Sequence, residues 1–416
     1  MNKVENRRKP LIWLMGLLVT VFIAGCGGDG GGSTQPGVLG ISLTDAPACG
    51  FDEVNVTVSK VRVHQSGNAS ENAAGWTDIT LNPARKINLL NLDNGALASL
   101  GETPLEAGHY TQLRLVLDRN TGQSLANSVV LENTTAEIAL DTPSAIQTGI
   151  KLIHQFTVNS GQRVDLLLDF DACKSIVTRS NGTYALKPVI KVIPFEQNGI
   201  VGFVDKTLPN VVVSAQDNNG EIVRATVPNA DGKFFLAHLT AGTDVKYNVV
   251  TTADGHATAV ISGVPVPTTT SITAVSTSGA PIPVVTPPTL EASATHNISG
   301  TVTLNPLSAT DETVFVAAKQ TLGSGPTVTV KSQVAVSEVD PQNNPTGNYP
   351  YALTLPIEAP SLGPYATPLP IVFAKQPAAV GVNYTVRVSA TGYQSQSLNI
   401  PDISVVNTPQ NFTLTP

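Results

Sequence analysis

The sequence predicts an all-β protein built of several sandwich domains, a reading carried by its composition, its alternation and its internal repetition. Only 13% of the 416 residues are charged, while Val, Thr, Ser, Asn, Gly and Pro dominate. β-Branched residues suit the pleated, half-buried surface of a strand; Gly, Pro, Asn and Ser suit the tight turns between strands. Apolar and polar residues alternate at Val54, Val56 and Val58, then over Tyr110 to Leu117, Ile150 to Val158, Arg163 to Phe170 and Tyr184 to Ile193. That period of two sets one face of a strand against a core. Only Asn94 to Leu100 has a brief helical pattern.

Repetition is visible when the stretch after residue 196 is set against the last 120 or so residues. Gly202-Phe203-Val204 matches Gly300-Thr301-Val302, Val211 to Gln216 matches Val314 to Gln320, and Asp231-Gly232-Lys233-Phe234 matches Thr346-Gly347-Asn348-Tyr349. Tyr247 to His256 matches Tyr384 to Tyr393. Each copy reads as about seven strands, with Gly232 and Gly347 supplying the positive φ of a tight hairpin. Between the copies, residues 277–295 carry Pro281, Pro283, Pro287 and Pro288, the composition of a semi-rigid, extended linker. The second copy also contains a proline-rich insertion, Pro356 to Pro377. Prolines lack the N–H of a central ladder, so a loop or sheet edge is expected there. Its apolar residues Leu362, Tyr365, Leu369, Ile371 and Phe373 would either meet a partner at the surface or fold back over their own sandwich.

At the N-terminus, Arg7, Arg8 and Lys9 precede an apolar run from Leu11 to Ala24 that is short for a membrane span and right for a signal peptide. The run ends in Ile23-Ala24-Gly25-Cys26, followed by Gly27, Gly28, Asp29, Gly30, Gly31 and Gly32. These four residues resemble the lipobox of bacterial lipoproteins. The resemblance implies cleavage before Cys26, a diacylglyceryl thioether on its sulfur and acylation of the new amino terminus. Each buried methylene contributes about 0.8 kcal/mol, so several acyl chains hold a protein on a membrane where one would not. Gly27, rather than Asp, after the cysteine implies the outer membrane in the enterobacterial sorting pattern. Removing residues 1–25 takes four of 24 basic and one of 31 acidic residues, leaving 20 against 30, so nucleic acid is an unsuited partner. The roughly 390 residues that remain are enough for two to four domains.

Leu43-Thr44-Asp45-Ala46-Pro47, Val54 to Val63, Ile87 to Leu92, Gly108 to Leu115, Asp169-Phe170-Asp171 and Leu186-Lys187-Pro188-Val189 together resemble the domain of unknown function 4382, found mostly in bacterial lipoproteins. The family brings no established activity. The two copies that follow resemble carboxypeptidase regulatory-like domains, which implies a prealbumin-like sandwich, a fold also grouped with carbohydrate-binding-like folds. The plan expected is thus a signal peptide (1–25), a Gly-rich tether (26–36), the first sandwich (37–196), a second (197–276), the Pro-rich linker (277–295) and a divergent third (296–416). A stiff linker would hold the last sandwich away from the others.

Two cysteines, Cys49 and Cys173, remain beyond the anchor. In an oxidising compartment they would form one disulfide. Asp45, at the end of the first strand, and Asp169 with Asp171, at the end of a late one, would then lie together. Three converging carboxylates would suit Ca²⁺; alternatively Asp45 caps a turn while the others face solvent or pair with Lys174 and Arg179. Asp217-Asn218-Asn219-Gly220 lacks the spacing of a calcium loop and reads as a hairpin turn. The six histidines, His64, His109, His154, His238, His256 and His296, have no ligand spacing, and no nucleophile elbow, paired zinc histidines, phosphate loop or dinucleotide fingerprint is present. No cofactor is called for. The functional expectation is a non-enzymatic, lipid-anchored envelope protein whose sandwiches contact other proteins. The alternatives are a carbohydrate binder, for which Trp13 and Trp76 are the only tryptophans, and, last, an envelope hydrolase.

Overall fold

The computed structural model describes residues 35–45, 51–92, 95–122, 124–142, 148–179, 181–283, 289–307, 312–323, 325–335, 337–340, 342 and 344–416. Cys26, the expected signal peptide and most of the expected tether, and Cys49 lie outside the described residues. What is described is three β-sandwiches, each with its own buried apolar cluster.

In the first sandwich the strand Gly37–Asp45 points Leu39, Ile41 and Leu43 into the core, each at most 1% exposed. It runs parallel to Arg163–Phe170 and antiparallel to Ala98–Leu105, and Ile190–Pro194 closes the other side of that four-stranded sheet. The facing sheet is organised by the long strand Phe51–His64, which pairs with Thr77–Asn88, Gln112–Leu117 and Ser128–Leu131. One strand can serve three neighbours because irregularities at Phe51/Glu53 and at Val58/Lys60 re-aim the ladder along its length. Val54, Val56 and Val58 pack inward as the alternation requires. Three runs that read as single strands are broken: Tyr110 to Leu117 into Gly108–Tyr110 and Gln112–Leu117, Ile150 to Val158 into Ile150–Leu152 and Phe156–Val158, and Tyr184 to Ile193 into Tyr184–Leu186 and Ile190–Pro194. The helical expectation for Asn94 to Leu100 is corrected. Ala98–Leu105 is a strand recruited by the opening strand, and the helical turn lies earlier, at Leu89–Leu92.

The second and third sandwiches share one strand plan. In the second, Gly199–Phe203 lies between Lys233–Ala237 (antiparallel) and Ile272–Ala274 (parallel). In the third, Thr295–Leu304 lies between Asn348–Pro356 (antiparallel) and Phe412–Leu414 (parallel). The opposing sheets run Ile222–Thr226, Val212–Gln216, Lys246–Thr252, Ala259–Pro265 and, equivalently, Thr327–Val334, Val314–Thr321, Tyr384–Ala390, Gln396–Ile400. Gly232 (φ 77°) and Gly347 (φ 80°) occupy the same turn, their carbonyls accepting from Val204 N and Leu304 N. Tyr247 and Tyr384 are both buried, and each donates its hydroxyl at 2.8 Å to a carbonyl, of Thr240 and Pro356 respectively. The hairpins correct one alignment. Phe203 stands opposite Lys233 and Thr303 opposite Asn348, so Gly202 corresponds to Val302 and the Gly-x-Val pairing read from sequence is two residues out of register.

Two further expectations give way. The Pro-rich linker is not a strut. Ile282 bridges Val204 in the second sandwich, and Leu290 is buried in the same core cluster. Ala257 N and Ser293 N donate to Glu291 O and Gly255 O, which lays the linker's end against the second sandwich. Nor is the last sandwich held off; residues from Gln35 to Pro416 form one compact unit. Burying the apolar linker residues and the interface polar groups described below outweighs the stiffness of scattered prolines.

Candidate functional site

The feature that distinguishes this chain from beads on a string is the set of junctions between sandwiches, and the sequence-predicted residues fall on them. At the first junction the parallel register sets Thr44 opposite Asp169 and Asp45 opposite Phe170, bringing the expected carboxylates to one sheet end. Each is then taken by a different donor. Asp45, 3% exposed, accepts from Ala172 N at 2.8 Å through Oδ1. Asp171 caps the short helix Ala172–Ser175, accepting from Lys174 N at 3.0 Å, and pairs with Lys174 Nζ at 2.7 Å. Asp169, 8% exposed, forms an ion pair with Arg224 of the second sandwich, itself 7% exposed. The calcium expectation for Asp45, Asp169 and Asp171 is therefore corrected. Among the described residues no group of three or more His, Cys, Asp or Glu is placed to hold a metal, because a backbone amide, an ammonium and a guanidinium already meet these charges. Arg179 pairs with Asp141 at 3.5 Å rather than with this group.

Arg224 was missed by sequence reasoning. Its signal was a lone cation inside Ile222–Thr226, a strand otherwise without charge, which demands a buried partner. Next to it is His238, at φ 56°. Its Nδ1 lies within hydrogen-bond distance of Glu196 O, and its ring packs on Phe195 with centroids 5.1 Å apart. Burial holds the imidazole pKa below its ordinary value; Arg224 pushes the same way, while the Glu196 carbonyl and Asp169 oppose. Two small clefts flank the ion pair, one lined by Thr44, Asp45, Arg224 and His238 among others, the other by Asp171, Lys174, Lys191 and Arg224 among others. Their volumes, about 10 and 40 Å³, suit water rather than an organic ligand.

The second junction joins the second and third sandwiches. The Gln216 side chain, fully buried, behaves like an extra stretch of strand: Nε2 donates to Thr329 O at 2.9 Å and Oε1 accepts from Thr329 N at 2.7 Å. The turn after it is the hairpin read from Asp217-Asn218-Asn219-Gly220, with Gly220 N donating to Asp217 O, and it abuts the same strand through Thr329 Oγ1 and Gly220 O. Lys319, 7% exposed, reaches Asn219 O at 2.9 Å and Glu221 at 2.7 Å, and Arg387 reaches Glu221 at 3.0 Å.

The insertion makes the third contact, and here the structure departs from the expectation that it folds back over its own sandwich. Ser361–Pro364 lies parallel to Ala259–Pro265, extending the second sandwich's sheet, and Ala374–Lys375 pairs beyond it. Ile371 is 1% exposed in the second sandwich's core cluster, where Tyr365, Leu369 and Phe373 also pack; Leu362 packs against the third. The apolar residues thus pack mainly on the neighbouring sandwich rather than on their own. They belong to the neighbour, because its edge strand offers unpaired backbone groups and an open core margin. The first and third sandwiches also touch. The helix Ala172–Ser175, which carries Cys173, contacts Thr327–Val334, Arg179 bridges Ser337, and Lys187 lies 4.0 Å from Glu312.

Trp76 does not present a bare platform. Its indole N–H donates to Ser70 O at 2.9 Å, and the guanidiniums of Arg62 and Arg114 lie 4.8 and 5.0 Å from its ring centroid.

These features define an all-β protein whose three sandwiches are joined side to side. Residues 36–188 match the family model described as domain of unknown function (DUF4382), which covers the first sandwich up to its last strand, Ile190–Pro194. No curated protein matches the chain. Among solved structures, a streptococcal ancillary pilin is 8% identical over 91% of this chain and 98% of its own, with a TM-score of 0.15. The pilus adhesin SpaC from Lactobacillus rhamnosus GG is 8% identical over 91% of this chain and 44% of its own, with a TM-score of 0.13.

Proposed function

We propose that the protein is a non-enzymatic, lipid-anchored cell-envelope protein that presents its three sandwiches as one rigid head for protein contact. The observation that carries this reading is that the sandwiches interlock through buried polar pairs and a shared sheet, following a lipobox-like Cys26 and a glycine-rich tether. A flexible tether with a rigid head fixes the shape of what is displayed while leaving its orientation free. The alternative of a glycan platform is poorly supported, since Trp76 already engages two arginines. Among the described residues no helix is long and apolar enough to cross a membrane, and membrane attachment rests on acylation of Cys26, with the outer membrane as its site. The second and third sandwiches are assigned, by the sequence resemblance and their common strand plan, as carboxypeptidase regulatory-like domains.

A Cys49–Cys173 bridge belongs to the same proposal; it is supported by the register that sets Asp45 opposite Phe170, four residues before Cys49 and three before Cys173. Cys173 also lies beside the junctions, so the bridge would brace them. Cys26→Ser should abolish lipid labelling and move the protein from the membrane to a soluble periplasmic fraction. Unchanged membrane partitioning with the leader still attached would contradict the anchor. Unreduced peptide mapping should recover Cys49 linked to Cys173, and alkylation of both thiols would remove the bridge.

A further inference from the structure

The cleft between the first and second sandwiches holds two polar atoms that the fold leaves unmatched. Arg224 is 7% exposed, and its Nε finds no hydrogen-bond partner; neither does the buried Nε2 of His238. Both residues line the same cavity of about 10 Å³, together with Thr44 and Asp45 of the first sandwich. Their chemistry is complementary. A guanidinium Nε–H only donates. The carbonyl of Glu196 only accepts, so His238 Nδ1, which faces it, carries the ring proton and leaves Nε2 with a lone pair. One unmatched donor and one unmatched acceptor thus belong to the two side chains that line a space the size of a single water molecule.

We propose that this cavity is a binding site for one ordered water, which accepts from Arg224 Nε–H, donates to His238 Nε2, and directs its second hydrogen toward the Thr44–Asp45 end of the first sandwich. The water completes the junction and makes it depend on a neutral histidine. Protonating Nε2 turns the acceptor into a donor, leaving two donors facing each other and setting a second cation beside Arg224. The charged and titratable groups around the imidazole are Arg224 on Ile222–Thr226, Asp169 on Arg163–Phe170, Asp45 on Gly37–Asp45 and Glu196 before Gly199–Phe203, the last and Arg224 also acting on Tyr247 of Lys246–Thr252. Asp169 offsets a new positive charge only in part, because it is shared with Arg224, and burial together with Arg224 outweighs it. The sign follows from the folded imidazole pKa lying below its unfolded value. The junction's stability is fully present above the unfolded value of about 6.5 and is lost as pH falls from there toward the folded value.

His238→Asn tests this without disturbing the backbone. Asn tolerates the positive φ, its amide can still donate to Glu196 O, and it cannot titrate or accept at the Nε2 position. A crystal structure of the protein near neutral pH, at a resolution that shows ordered water, should place one peak within hydrogen-bond distance of both Arg224 Nε and His238 Nε2. The fall in melting temperature of the wild type between about pH 8 and about pH 5 should shrink in His238→Asn, whereas the control His154→Asn should leave the junction's hydrogen-exchange response to acid as in the wild type. A cavity closed by protein atoms, or a His238→Asn variant that keeps the whole wild-type acid shift, would overturn the proposal.

Discussion

The second and third sandwiches have the same strand order, the same hairpin glycine and the same buried tyrosine, yet their connections differ in length, one of them most of all. In the second, residues 238–245 link Lys233–Ala237 to Lys246–Thr252; in the third, residues 357–383 link Asn348–Pro356 to Tyr384–Ala390. The shorter connection serves its own sandwich: Thr240 O holds the Tyr247 hydroxyl. In the longer one, that duty falls to Pro356 O just before the loop, and the remainder is free to lend Ser361–Pro364 and Ile371 to the neighbour. This loop therefore adds a shared sheet and a borrowed core residue to a pair of sandwiches that keep the same strand order.

The strongest break of that comparison is to give the third sandwich the second's short connection. Replacing 357–377 with a Gly-Ser turn removes a buried Ile and three partly buried apolar side chains from the second core, worth on the order of 5 kcal/mol. Hydrogen exchange should speed in Ala259–Pro265 and Lys246–Thr252 of the second sandwich more than in the third's own sheets. Next in size is the junction with the first sandwich. Arg224→Ala leaves Asp169 buried and uncompensated, a loss of about 3–5 kcal/mol measurable by denaturant unfolding. Gln216→Ala strips the N–H and C=O of Thr329 of their partners, for a cost of about 2–4 kcal/mol. At the small end stands the exposed pair Lys331–Asp254, 3.5 Å apart at the rim of the same junction. Lys331→Ala should change stability by no more than about 0.5 kcal/mol, which separates the sealed centre of the contact from its wet edge.

Much of each sandwich was legible in the sequence, because alternation reports which face of a strand is buried and a Gly in a tight turn reports its φ. Arg163–Phe170 and the Asp231-Gly232 and Thr346-Gly347 hairpins were read at their true positions. The Gly-x-Val strands were misaligned by two residues, since a shift of two leaves the inward face unchanged and is invisible to period-two patterning. The junctions were not legible. Their key residues, Gln216, Thr329, Lys319, Arg224 and Asp169, are polar and read locally as surface; only the partner from another sandwich makes burial affordable. The juxtaposition of Asp45 with Asp169 was legible from strand ends, whereas its chemistry was not, because Arg224 arrives from 55 residues further along the chain. Ile371 was recognised as apolar and placed near an edge, but nothing in its own segment says whose edge.

With their junctions buried, the sandwiches fold as one unit rather than as three independent beads. Calorimetric unfolding of the protein from Cys26 onward measures this cooperativity. One transition is expected, with calorimetric and van't Hoff enthalpies in agreement; two or more resolved transitions, with the third sandwich melting at a temperature unaffected by Arg224→Ala and by loss of 357–377, would contradict it.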